Sequence, residues 1–211
     1  MGMLFFLGQV IGISLSGVMA PGPVTATTIV MGSRNRWAGA LIAVGHGIVE
    51  FPLIVLIVVG LSTILKLPAV QIAIGLAGAV LLFVMASAIL RSLQSADRQR
   101  AGNVKGSPVF AGIVPTAGNP YFLLWWATIG LGLATRAQQL GIWAFVVFAV
   151  VHWLCDFFWL TALSWASYKG STLLGTRSLN IVLMICSAAL TFFGIIFAYG
   201  ALVTLIEVLE T

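Results

Sequence analysis

Ser16-Gly17-Val18-Met19-Ala20-Pro21-Gly22-Pro23-Val24-Thr25-Ala26-Thr27 decides how the chain is read. It lies inside an apolar run with no Lys or Arg before Arg34. The run is long enough to cross a bilayer, yet two prolines and a glycine interrupt it. Proline removes an amide donor and clashes with the preceding turn. A break facing lipid would leave backbone groups unsatisfied, so breaks survive where protein or a water-filled cavity covers them. A broken span therefore marks either a binding site or a kink, since Pro and Gly are also common in membrane helices.

Outward from this stretch the pattern repeats. The chain is 61% hydrophobic and 7% charged, with a mean hydropathy of +1.13. That composition defines an all-α polytopic membrane protein and leaves no room for a separate soluble domain. Six spans are expected, at about 4–31, 38–65, 69–91, 108–134, 140–168 and 180–206. The first is broken at Pro21–Pro23 and the fourth at Pro115 and at Gly118-Asn119-Pro120. Residues 1–30 lack the basic n-region of a signal peptide and are read as retained. Cys155 and Cys186 fall in apolar runs and act as small hydrophobes rather than a disulfide or metal site.

Basic residues in short loops set orientation. Arg34, Arg36, Arg91, Arg98, Arg100, Lys105, Lys169 and Arg177 fall on one side, and Lys66 and Arg136 on the other. This asymmetry puts the 91–107 loop in the cytoplasm and both termini outside. It also means that the net charge of +5 serves orientation, and no nucleic-acid partner is expected.

Spans one to three (residues 1–91) and four to six (108–211), joined by the loop 92–107, share one order: broken span, span with ionisable residues, plain span. His46-Gly47-Ile48-Val49-Glu50-Phe51 follows the first break, and His152-Trp153-Leu154-Cys155-Asp156-Phe157 follows the second. Three spans per half force opposite insertion, which is the inverted-repeat plan of many secondary transporters.

Glu50 and Asp156 sit near the middle of spans two and five. An acid at the bilayer centre costs about 2.5–3.5 kcal/mol on insertion scales, so each requires a reason. Each His lies one turn before its acid and shares its face. Such a pair is formally neutral when the imidazole is protonated, and its members titrate together. His46, Glu50, His152 and Asp156 are therefore read as a proton-coupling or ion pathway, against the alternative of two structural ion pairs. Pro52 is expected to kink span two beside Glu50.

At the breaks, Pro21, Gly22, Pro23, Thr25, Asn119, Pro120 and Tyr121 are the candidate substrate-binding residues. Half-helices starting at Pro23 and Pro120 would turn free amides toward a substrate carboxylate. Thr25, Thr27 and Thr28 could equally back-bond to their own helix. Trp125 and Trp126 either wall a pocket or anchor at the interface. Gly8 with Gly12, and Gly75 with Ala79, are read as helix-packing positions.

Ala20-Pro21-Gly22-Pro23, the Arg34–Gly39 turn leading into a Gly-rich second span, and Asn119-Pro120 together resemble the LysE-type amino-acid exporter family. The likeness covers nearly the whole chain. It implies efflux of amino acids or related small solutes from a prokaryotic cell across the plasma membrane, by antiport driven by a proton or ion gradient. No enzymatic activity and no cofactor are implied. Where many members carry Lys after the Asn-Pro, this chain has Tyr121.

Other readings remain at this stage. The two His/acid pairs could serve as ligands of a divalent metal, making the protein a metal exporter. No His-Glu-x-x-His protease motif, no cysteine pair near the breaks and no mid-span Lys is present. A passive channel stays open. Protons, lipid and a small-molecule substrate are the expected partners, and a homodimer would suit so small a bundle.

Overall fold

The computed structural model describes residues 2–20, 22–65, 67–94, 106–173 and 175–210. Pro21, Lys66 and most of the 92–107 loop, with Asp97, Arg98, Arg100 and Lys105, lie outside the described residues. All regular structure among the described residues is helical.

The first broken span consists of α1 (Met3–Val18) and α2 (Pro23–Gly32), bent by 75°. Gly22 is extended ahead of α2, and Pro23 occupies its first turn, where a missing amide costs nothing. The Thr25 hydroxyl reaches back across the break and donates to the carbonyl of Ala20 at 3.2 Å.

Helix α3 (Ala38–Leu56) runs through Pro52 without interruption. The departure from helical geometry comes later, in a wide turn at Ile57–Leu61 where Gly60 has φ 128°. Only glycine adopts that value readily. The departure from helical dihedrals thus falls about two turns beyond Pro52. A short α4 (Ser62–Leu65) leads to α5 (Pro68–Gln94).

The fourth expected span is divided into α6 (Pro108–Ala117), α7 (Pro120–Trp125), a wide turn at Trp126–Gly130 and α8 (Leu131–Gln139). The helix continues through Pro115, so the break expected there is absent. Pro115 brings no amide to the helix, and in the same turn the Thr116 hydroxyl donates to the Gly112 carbonyl at 2.7 Å. The true break is at Gly118–Asn119. Asn119 is extended before Pro120, as steric clash with the proline ring requires, and accepts from the Tyr121 amide at 3.1 Å. The chain ends with α9 (Ile142–Leu173) and α10 (Gly175–Glu210).

Among the described residues four helices are long and apolar enough to cross a membrane, and α1 with α2 makes a fifth if counted as one span. The six-span expectation is met to that extent, because the pieces of the fourth are each too short. Many large apolar side chains point outward, among them Leu4 at 85% exposure and Trp143 at 78%. A lipid-facing surface accounts for them.

Helix α3 is central and packs on α6 and α9, α9 also meets α1 and α2, and α5 lies along α10. One apolar cluster joins Phe6, Ile54, Trp126 and Phe148; another joins Ala26, Leu82 and Leu190. Glycine sets the closest approaches. A side chain at Gly45 would overlap the Val109 carbonyl, one at Gly112 the Ile42 carbonyl, and one at Gly39 the Leu160 carbonyl. Gly75 packs as expected, since a Cβ there would lie 3.0 Å from that of Ala201. Gly8 and Gly12 do not: nothing in the described chain lies within 4 Å of a Cβ built at either.

Candidate functional site

The two His/acid pairs, with Glu50 and His152 102 residues apart in sequence, meet in one buried ring. His46 Nε2 lies 3.2 Å from Glu50 Oε1 and 3.6 Å from Asp156 Oδ1. His152 Nε2 lies 3.1 Å from the same Glu50 oxygen and 3.9 Å from Asp156 Oδ2. Each imidazole thus touches both acids, one from its own helix and one from the other. All four residues are buried, and Glu50 is completely so. With both imidazoles protonated the ring holds two positive and two negative charges, which is what makes its burial tolerable.

The far nitrogen of each ring is held by a hydroxyl from the opposite half of the chain. Thr116 Oγ1 on α6 lies 2.8 Å from His46 Nδ1, and Ser14 Oγ on α1 lies 2.7 Å from His152 Nδ1. The Thr116 hydrogen is committed to the Gly112 carbonyl. Nδ1 of His46 must therefore be the donor to Thr116. Its Nε2 then needs a second proton, on itself or on the facing carboxylate, because a bare lone pair would oppose the acid oxygens. Ser14 is under no such constraint in the hydrogen bonds described, and can give or take a proton at His152. Partners of this kind fix ring orientation and tautomer.

Aromatic side chains complete the enclosure. Trp126 Nε1 donates to Glu50 Oε1 at 3.3 Å. Trp125 stacks on His152 with centroids 5.1 Å apart, and Trp126 meets the same ring edge-on at 4.9 Å. Gly17 makes room for Trp125, whose Nε1 would lie 3.0 Å from a Cβ at that position.

A cavity of about 90 Å³ opens beside the ring, and all four ring members line it. Of the expected substrate-binding residues, Gly22, Pro23, Thr25, Asn119 and Tyr121 line the same cavity. Pro120 is instead buried against Gly78. Asn119 spends its carbonyl oxygen on the Tyr121 amide, and its Nδ2 faces Gly22 across the space between the two breaks. Thr27 takes the back-bonding alternative, donating to the Pro23 carbonyl at 2.8 Å. Thr28 is fully buried within α2.

Sequence reasoning named neither Ser14 nor Thr116 and left Trp125 and Trp126 undecided. Their only sequence signal is a hydroxyl, or an indole, within a turn or two of a break. His46, Glu50 and Asp156 also offer ligand atoms all within 4.8 Å of one another, close enough to hold a metal ion.

Apolar helices of membrane-spanning length, two of their runs broken where they face a buried charged cavity, make this a membrane transport protein. More narrowly, the chain belongs to the LysE type translocator family, whose model matches residues 15–201. It is a family of small-solute exporters rather than enzymes. Neither the curated proteins nor the solved structures contain a match.

Losing the Thr116 hydroxyl strands His46 Nδ1, and an unsatisfied buried donor costs about 1–3 kcal/mol. Thr116→Val is expected to lower transport about tenfold, since 1.4 kcal/mol is a factor of ten. Thr116→Ser is expected to keep most of it. Efflux from proteoliposomes measures both, and equal loss in the two variants would show that the hydroxyl is not what matters.

Proposed function

We propose that this protein exports amino acids, or related small zwitterionic or cationic solutes, by proton-coupled antiport across the prokaryotic plasma membrane. The observation that carries the reading is the ring of His46, Glu50, His152 and Asp156 on the wall of a cavity that both helix breaks also line. Ionisable residues buried at membrane depth are functional by default. A ring of two bases and two acids can take up and release protons as its members are engaged by substrate.

The halves 1–91 and 108–211 act in this reading as inverted repeats. The packing supports that: α1 of the first half lies on α9 of the second, and α6 of the second lies on α3 of the first. The hydroxyl partners of the two histidines cross over in the same way. Alternating access would then rock one half against the other, opening and closing the ring.

The test is purified protein in liposomes loaded with a mixed amino-acid pool and given a pH gradient. Gradient-driven efflux supports the reading, and its absence from active, folded protein would remove it. A second reading has one observation of its own, the metal-like spacing of His46, Glu50 and Asp156. There the exported substrate is a divalent cation, and the same liposomes assayed with zinc, cadmium, nickel and cobalt separate the two.

The topology that this reading assigns is equally open to test. With native Cys155 and Cys186 buried, a membrane-impermeant maleimide is expected to label Gly2→Cys in intact cells and Gly106→Cys only after lysis. The reverse pattern would invert the assigned orientation.

A further inference from the structure

The cavity points to a substrate class: an amino acid whose side chain is apolar and uncharged, with dibasic amino acids rejected. This rests on the amino-acid export reading above and narrows it.

The first argument concerns which charges the cavity has to offer. The chain has five acidic residues, and only Glu50 and Asp156 line the cavity. Glu207 and Glu210 are exposed in the last turns of α10, and Asp97 belongs to the loop between the halves. Both cavity carboxylates already engage the imidazoles. Each keeps one buried oxygen with no hydrogen-bond partner among the described residues, Oε2 of Glu50 and Oδ2 of Asp156. The two carboxylates approach within 4.8 Å. An ammonium has three donors and no acceptor, so the α-ammonium of a substrate suits this pair of acids. A second cation on the side chain of lysine or arginine would find no third acid among the described lining residues. An unpaired buried charge is among the costliest things a protein can accommodate.

The second argument concerns the rest of the wall. Leu82 on α5 and Leu190, Phe193 and Phe197 on α10 line the cavity from the second apolar cluster. No Lys or Arg is among the lining residues described. The polar part of the wall away from the ring is at the breaks, where the Asn119 amide nitrogen and the first turn of α2 face each other. A carboxylate suits that position. The ring then takes the ammonium, the breaks take the carboxylate, and the α5–α10 wall is left for a side chain that needs no partner.

Liposomes containing the wild-type protein, loaded with equal concentrations of leucine, phenylalanine, lysine and arginine, test this directly. Under one pH gradient, leucine and phenylalanine efflux should exceed lysine and arginine efflux at least about tenfold, within the discrimination a buried pocket supports. Phe193→Ala should narrow the leucine-to-lysine ratio at least about threefold by removing apolar contact. Lysine or arginine leaving as fast as leucine would overturn the inference while the export reading stood. An unchanged ratio in folded Phe193→Ala would overturn the role of the α10 wall. No efflux of any amino acid from folded protein would remove the export reading and this inference together.

Discussion

Glu50→Gln is expected to lower gradient-driven efflux at least a hundredfold. Glu50 has no exposed surface, and one of its oxygens has three hydrogen-bond partners: His46, His152 and the Trp126 indole. Glutamine keeps the shape but removes the charge, and its NH2 group adds donors where the ring needs acceptors. Removing one partner of a buried ion pair typically costs about 3–5 kcal/mol. At about 1.4 kcal/mol per tenfold, that is two orders of magnitude or more. Asp156→Asn should cost less, about tenfold, because the imidazoles lie farther from it, at 3.6 and 3.9 Å. Proteoliposome efflux at a fixed pH gradient measures both, with size-exclusion elution to establish that each variant is folded. Undiminished flux in folded Glu50→Gln would take Glu50 out of the pathway.

The largest expected effect on stability comes from a residue that touches no substrate. Gly112→Ala puts a methyl group onto the carbonyl of Ile42 and within 3.0 Å of the His46 amide nitrogen. Backbone cannot rotate aside as a side chain can. The cost should reach or exceed about 3 kcal/mol, the upper end for overpacking. At about 2–4 °C per kcal/mol for a chain of this size, Tm should fall by about 6–12 °C. Gly132 makes the comparison, because nothing lies within 4 Å of a Cβ at that position in α8. Gly132→Ala should leave Tm unchanged or raise it slightly, since Ala favours helix by up to about 1 kcal/mol. Thermal unfolding in detergent decides, and equal behaviour of the two variants would mean that α3 and α6 are not held backbone to backbone. Transport should fall with Gly112→Ala too, because α3 carries both His46 and Glu50.

The broken spans and the His/acid pairs were legible in the sequence for one reason. A bilayer makes unsatisfied backbone and buried acids so costly that their presence demands a function or a partner. Where a break falls was less legible. Pro52 and Pro115 are as prominent in the sequence as Pro23 and Pro120, yet helices run through them. A break also needs a neighbour that can leave the helical region, and Gly22, Gly60 and Asn119 supply it. Ser14 and Thr116 were hidden because hydroxyls in apolar helices usually bond to their own turn, as those of Ser16 and Thr27 do. Nothing local distinguishes them; only the approach of the other half gives each an imidazole. The glycines posed the same problem. Gly112 and Gly132 look alike in the sequence, and only the neighbouring helix tells them apart.

The crossing of partners in the ring also has a consequence in time. Synthesis delivers α3 to the membrane long before α9 exists. Through that interval Glu50 has, of its three hydrogen-bond partners, only His46 on its own helix. Trp126 comes next, and His152 last. His152 in turn finds its hydroxyl already waiting on α1. The nascent chain therefore carries in the bilayer an acid with only part of its hydrogen bonding until its fifth expected span arrives, and the arrival of that span completes the set. Assembly of the site is the event that makes the first half comfortable in lipid, so a chain halted before α9 should be a poor tenant of the membrane and an early target for quality control.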